Sequence, residues 1–347
     1  MTDATARSPL SARVRSWAYA LRTTNPPPGP IEELDALTRW IVVSRAAVLP
    51  MTVVAGLVAG LLAIGRPGFD WRWLSLSVLG ITLAHLANNV MNDIYDTSAG
   101  SDSDTYPRAL YAPHPILSGL VSRRAMITAA VAINLADLAI LVALASVRGW
   151  PVIAFAAAGF VLSVAYTAPP LRLKKRGLGE PDVLLVWGPL MVGGTYYAAV
   201  GSLPATVLLA SLPYGLLCVA VLMGKHTDKI PYDRPLGIRT LPVILGESRA
   251  RASTLGLMVG FYVLVGLSVL VGAMPWPALL AFAALPRLVK VWPYLRKPPP
   301  DEPPPDFPVW PLWYAALVWV HTRQAGALLV IGLGLGVLAR LVFPAMG

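Results

Sequence analysis

The sequence predicts an all-α fold, a polytopic membrane bundle of nine transmembrane helices, on three observations. The chain is 56% hydrophobic and only 13% charged, whereas a soluble domain is about a quarter charged. Apolar stretches recur at about 20 residues, the length that crosses the hydrocarbon of a bilayer. Its Lys and Arg residues fall in alternate loops, as the positive-inside rule requires of a chain that crosses back and forth.

Taken in order, residues 1–37 carry four arginines and the run NPPPGP but no apolar core. They are expected to be a mobile cytosolic tail, not a signal peptide. The transmembrane domain then occupies 38–347. Its candidate spans are 38–64, 73–95, 124–147, 150–168, 181–201, 204–224, 251–273, 275–294 and 325–343. The eighth is the weakest, because it contains Arg287 and Lys290. The stretch PVWPLWYAALVWVHT at 308–322 is short and rich in tryptophan. It is expected to lie along the membrane interface.

Charge supports this count independently. The segments 1–39, 97–123, 169–180, 225–250 and 295–324 hold most of the 28 Lys and Arg residues, and the opposite side holds Arg66, Arg72 and Arg148. The N-terminus is therefore expected in the cytoplasm and the C-terminus outside. The expected location is the plasma membrane, multi-pass, with every chemically rich loop on the cytoplasmic face. A net charge of +10 in so apolar a chain points to anionic lipid and away from nucleic acid. The single cysteine, Cys218, excludes an internal disulfide and a cysteine zinc site. The four histidines are scattered, which argues against zinc. No phosphate-binding Gly-x-x-x-x-Gly-Lys-Ser/Thr loop occurs, so nucleotide hydrolysis has no support.

Two acidic clusters share the basic side. The first is NNVMNDIYDTSAGSD, residues 88–102, behind the apolar part of the second span. His85, Asn89, Asn92 and Asp96 stand at i, i+4, i+7 and i+11, on one helix face. Asn88 and Asp93 flank that face, and Asp102 and Asp104 follow a glycine. Polar groups inside a membrane are costly, so they turn into a bundle or a wet cavity. The second cluster is GKHTDKIPYDRPLGIRTLPVILGE, residues 224–247. Here Asp228 and Asp233 interleave with Lys225, Lys229, Arg234 and Arg239. One such loop alone reads as solvated turn chemistry. Two on one side, each joined to a polar helix end, suit Mg²⁺ bridging a diphosphate, with Lys and Arg on the remaining phosphate oxygens.

These motifs resemble the UbiA superfamily of membrane prenyltransferases. Asn92 and Asp96 match its Asn-x-x-x-Asp signature, with Gly100 where a further Asp is usual and Asp102 two residues later. That Gly-x-Asp ending is similar to the MenA-like, 1,4-dihydroxy-2-naphthoate polyprenyltransferase branch. HPILSGLVS, YTAPPLRLKKRGLGE, GTYYAAVGSLPATVLLASLPYGLL and GIRTLPVILGE agree in order with the family. One departure stands out. Counting back from Gly237, Asp233 is in place, Lys229 occupies the position of the first motif aspartate, and Asp228 comes one residue early.

The resemblance implies transfer of an isoprenyl chain from a polyprenyl diphosphate to an aromatic acceptor, with 1,4-dihydroxy-2-naphthoate and menaquinone biosynthesis as the leading expectation. It implies Mg²⁺ on Asp93, Asp96, Asp102, Asp228 and Asp233, of which Asp96, Asp228 and Asp233 are catalytic. It assigns substrate binding to Asn89, Asn92, Arg45, Lys174, Lys175, Lys229, Arg239, Arg123 and Tyr166. Tyr95 and Tyr196 are further candidates to face an allylic cation. Packing is an equally good reading of the aromatics, and snorkelling to the interface is the alternative for Arg45. Asp137, with no motif behind it, reads as a structural hydrogen-bonding group. Other acceptors (a chlorin or a sugar phosphate) and prenyl cyclisation remain alternatives. A cation or lipid-phosphate carrier is disfavoured, because its acidic groups belong near the midplane.

Overall fold

The computed structural model describes residues 10–98, 105–305, 307 and 309–342. Among these the secondary structure is helical throughout. Among the described residues nine helices are long and apolar enough to cross a membrane: Ala46–Ala63, Trp71–Thr97, Arg123–Arg148, Trp150–Thr167, Gly179–Val200, Ala205–Asp228, Glu247–Leu270, Trp276–Leu295 and Trp313–Val342. We number them as spans one to nine. Leu135, Val142, Phe160 and Val263 are each more than half exposed on the flanks. Such apolar exteriors are unfavourable in water and at ease in lipid.

The sixth span is the hub. Two-thirds of it (67%) is buried, against 11% of the third span at the edge. Its Tyr214, Leu217 and Met223 pack in one core with Met258 and Phe261 of the seventh span and Leu329 and Leu333 of the ninth. Close approach is built in with glycine. A Cβ on Gly215 would lie 3.4 Å from the backbone of Gly188 in the fifth span, and one on Gly332 would lie 2.3 Å from the carbonyl oxygen of Pro277. At Pro189 the fifth span lacks an N–H for its ladder, and it widens into π turns over Val186–Gly193.

Three expectations change at this level. The 1–37 segment is not wholly a tail: Leu10–Thr23 is a helix. Its Ala20 is buried with Val42 and Val43, and Trp17 Nε1 donates to Asp35 Oδ1 at 3.0 Å. The first predicted span is broken. Helix Ala36–Val43, capped by Asp35 through the N–H groups of Leu37 and Thr38, stops where Arg45 adopts a left-handed backbone at φ 53°. A second helix restarts at Pro50. Finally, residues 313–322 do not lie along the interface. They form the first turns of one 30-residue helix, Trp313–Val342. Tyr314, Ala315, Val318, His321 and Thr322 are buried on its inner side, so the tryptophan-rich composition reflects one wet end of a crossing helix.

Candidate active site

The polar face of the second span is sorted among partners on three neighbours. His85 Nδ1 meets Thr52 Oγ1 of the first span at 2.7 Å. Asn89 Nδ2 donates to the carbonyl of Ser44 at 3.0 Å, at the helix break. Arg45, turned by its left-handed backbone, pairs with Asp93, whose side chain is 1% exposed. Thr167 at the end of the fourth span donates to Asn92 Oδ1. Asn89, Asn92, Asp93 and Arg45 thus fasten the second span to its surroundings. Asp96, one turn further on, faces a cavity.

That cavity is lined by Asp96, Tyr106, Lys174, Lys175, His226, Lys229, Asp233, Ile238 and Thr240. It measures about 10 Å³, room for about one water. On one wall, Lys174 Nζ donates to Asp96 Oδ2 at 2.6 Å and Lys175 Nζ lies 3.5 Å from Oδ1. The two lysines are delivered by a tight turn, Leu173–Arg176, entered at Arg172 (φ 46°) and left at Gly177 (φ 78°). Lys174 also stands 5.8 Å from the centre of the buried Tyr166 ring. Burial, the larger effect, pulls the Lys175 ammonium below the usual lysine range, and Asp96 opposes it.

The facing wall follows the sixth span. Tyr106 donates its hydroxyl to Asp233 Oδ1 at 2.6 Å, and Lys229 Nζ sits 4.2 Å from the centre of the same ring. Burial brings the Lys229 ammonium down to about 8, against the pull of Asp233. The two walls are tied through the backbone, where Arg239 N–H donates to the carbonyl of Lys175 at 3.1 Å.

Asp228 is not in the cavity, contrary to the metal and catalytic role expected of it. Its Oδ1 accepts from Tyr314 N–H at 2.8 Å and its Oδ2 from Ala315 N–H at 2.9 Å. The first turn of every helix leaves orphan N–H groups, and Asp228 satisfies two of those of the ninth span. Asp93 is likewise committed, to Arg45. Arg239 and Arg123 are exposed and line no part of the cavity. Tyr95 does not line it either, and Tyr196 is packed in the apolar core of the fifth span. Asp102 and Asp104 lie outside the described residues.

Two features had no part in the sequence reading. One is Tyr106, which joins Asp233 to Lys229. The other is a buried pair in which His226 Nδ1 and Glu180 Oε1 are 2.8 Å apart, each side chain 3% exposed. His226 lines the polar cavity, while Glu180 edges an apolar crevice of about 450 Å³ with Leu184, Leu216, Val219 and Met223. An ionisable pair at the ends of two apolar spans was the available signal.

Among the described residues no group of three His, Cys, Asp or Glu gathers to hold a metal. Among the described buried oxygens without a hydrogen-bond partner are two carboxylate oxygens of the cavity, Asp96 Oδ1 and Asp233 Oδ2. Mg²⁺ takes one or two carboxylates and completes its shell with waters and phosphate oxygens. This pair fits that ion, with the shell shared by a phosphate.

The fold and site define an integral membrane protein with a buried acid–base cavity at an end of its helical bundle. The UbiA prenyltransferase family model matches residues 51–310. The 1,4-dihydroxy-2-naphthoate octaprenyltransferase of Escherichia coli (strain K12) is 29% identical over 273 residues, 77% of this chain and 87% of that protein. The apo structure of a UbiA homologue from Aeropyrum pernix K1 matches with a TM-score of 0.59 at 20% identity, over 82% of this chain and 97% of the other. A UbiA homologue from Archaeoglobus fulgidus, solved bound to GPP and Mg²⁺, matches with a TM-score of 0.51 at 14% identity, over 84% and 99%. The chain belongs to the UbiA prenyltransferase family, and its chemistry is prenyl transfer in a membrane.

Proposed function

We propose that the protein moves an isoprenyl chain from a polyprenyl diphosphate to an aromatic acceptor of the 1,4-dihydroxy-2-naphthoate kind, with Mg²⁺ and at the cytoplasmic face of the plasma membrane. The observation that carries this reading is the cavity in which Asp96 with Lys174 and Lys175 faces Asp233 with Tyr106 and Lys229. The relative from Escherichia coli supports the acceptor, and the homologue bound to GPP and Mg²⁺ supports the donor and the ion. The basic loops on this side support the orientation.

In this reading Asp96 and Asp233 hold the metal, which when bound neutralises charge on the departing diphosphate. Lys174 and Lys175 leave Asp96 and take phosphate oxygens, so the small cavity opens as the donor enters. Their ammonium groups stay over the diphosphate as the allylic C–O bond breaks and its electron pair leaves with oxygen. The Tyr166 ring, buried beside Lys174, offers a π face to the allylic cation. The acceptor ring carbon then bonds to the allyl carbon and releases its proton. The apolar crevice bordered by Glu180 provides lipid-side space for the prenyl chain.

The test is turnover by the purified protein in lipid with Mg²⁺, a labelled polyprenyl diphosphate and a panel of acceptors. Acceptor-dependent release of diphosphate, lost in Asp96→Ala and Asp233→Ala, is the expected result. Absence of turnover with every acceptor, alongside metal flux in liposomes, would overturn the reading. Turnover with a phenol or a sugar phosphate but no naphthoate would move the acceptor while leaving the chemistry in place.

A further inference from the structure

We propose that helix Leu10–Thr23 is an interfacial anchor for an anionic lipid surface, with one strip in the acyl layer and two arginines on lipid phosphates. This goes beyond the prenyl-transfer reading and does not depend on it. The helix lies ahead of residues 51–310, which the family model matches.

The first ground is the order of side chains around the helix axis. Successive residues turn by about 100°. Leu10, Val14 and Leu21 stand at i, i+4 and i+11, on one strip, and they are 67%, 47% and 48% exposed. To one side of the strip, Ala20 is buried against the bundle. To the other side, Arg15 and Arg22 are exposed, and Tyr19 is exposed beyond them. Protein contact, apolar strip, cations and tyrosine thus succeed one another around the axis. A helix lying in a membrane interface has this order, because its apolar strip enters the acyl boundary while its cations reach the headgroups.

The second ground is the level at which the helix docks. Ala20 packs with Val90 of the second span and with Met126 and Ala130 in the opening turns of the third. Ile127 and Val131, beside those contacts in the third span, are exposed. An apolar exterior on a crossing helix belongs to lipid. Helix Leu10–Thr23 therefore sits where lipid begins, and its strip is set against the acyl boundary.

The third ground is charge. The helix carries Arg13, Arg15 and Arg22 and no acidic residue. Arg13 reaches Asp35 at 4.0 Å. Among the described residues Arg15 and Arg22 pair with no carboxylate. Guanidinium groups bind phosphate oxygens in pairs, and cations beside a crossing helix gain from an anionic leaflet. Level and charge together select anionic lipid over a protein partner, which would have to cover a strip at the edge of the hydrocarbon.

The experiment is fluorescence quenching of a bimane probe on the full chain, in nanodiscs of phosphatidylcholine with phosphatidylglycerol. Probes are placed at Val14→Cys on the strip and at Tyr19→Cys beyond the arginines. Wild type, whose Cys218 is buried, sets the background. Doxyl lipid is expected to quench the Val14→Cys probe at least about threefold more than the Tyr19→Cys probe, and aqueous iodide the reverse. Doxyl-phosphatidylglycerol is expected to quench the Val14→Cys probe at least about fivefold more per molecule than doxyl-phosphatidylcholine, the preference that about one arginine supplies at a charged surface. Adding Arg15→Gln and Arg22→Gln is expected to bring that preference below about twofold. Iodide quenching as strong at Val14→Cys as at Tyr19→Cys would overturn the proposal, because the strip is then in water. Quenching of the Val14→Cys probe by neither agent would overturn it in favour of a covering protein surface. Equal quenching by the two doxyl lipids would overturn anionic lipid as the partner. Should Val14→Cys fail to fold, Leu10→Cys puts the probe on the same strip.

Discussion

The cavity wall at the end of the second span and the wall beyond the sixth span hold the same kinds of groups in different pairings. At the first, Lys174 closes on Asp96 at 2.6 Å and Lys175 stands at 3.5 Å. At the second, Tyr106 stands between Lys229 and Asp233, with its ring toward one and its hydroxyl toward the other. Removing one member of a buried pair strands the other charge, so the first wall couples function to stability. The second wall is already held apart by an aromatic ring, which lets its charges be spent on a ligand with less consequence for the fold.

The largest expected effect separates the two walls. Asp96→Ala and Asp233→Asn should each lower turnover by at least about 100-fold, the scale of losing one preorganised electrostatic group. Their stabilities should diverge. Asp96→Ala removes a partner close to both Lys174 and Lys175 and should cost about 3 kcal/mol. Asp233→Asn still accepts from Tyr106 and should cost less than about 1.5 kcal/mol. Thermal unfolding in detergent alongside turnover reads both quantities. Equal destabilisation would erase the distinction between the walls.

A smaller effect tests where the second wall ends. Asp228→Ala should destabilise by about 2 kcal/mol, the upper range for a lost helix cap. It should leave Mg²⁺-dependent binding of an unreactive donor analogue within about threefold of wild type, because its oxygens are taken by the N–H groups of Tyr314 and Ala315 and carry little weight at the cavity. Loss of metal-dependent binding with stability intact would return Asp228 to the site. The smallest effect concerns Arg239, an exposed side chain linked to the site through its backbone. Arg239→Ala should change the KM for the donor by less than about fivefold, the scale of an exposed charge interaction. A much larger change would show that Arg239 reaches the phosphates and extends the second wall.

The sequence carried the first wall further than the second. Asn89, Asn92 and Asp96 recur on one face because they share a single straight helix, where spacing translates directly into direction. The motif therefore led to Asp96, and the basic run led to Lys174 and Lys175. Beyond the sixth span the chain bends at Lys229 and again after Asp233, so spacing no longer reports direction. Asp228 and Asp233 look alike in sequence, yet one caps a helix that begins 85 residues later at Trp313 and the other enters the cavity. The His226–Glu180 pair and Tyr106 are joined across 46 and 127 residues to their partners, distances over which no local pattern extends. The same limit explains residues 308–322: composition marked them as interfacial, and most of them are instead helix, fastened to the sixth and seventh spans through Asp228, Leu217 and Tyr262.

By itself the sequence determined that the chain is a helical membrane protein, roughly where its spans run, and that its carboxylates and lysines gather between particular spans. Those properties follow from hydropathy and charge along the chain, because lipid selects apolar length and rejects unpaired polar backbone whatever the tertiary arrangement. Only the tertiary structure decided which carboxylate serves which purpose. The carboxyl groups of Asp93, Asp96, Asp228 and Asp233 are chemically alike, and each takes the role of the donor that packing brings to it: a guanidinium, a lysine, a helix terminus or a tyrosine hydroxyl.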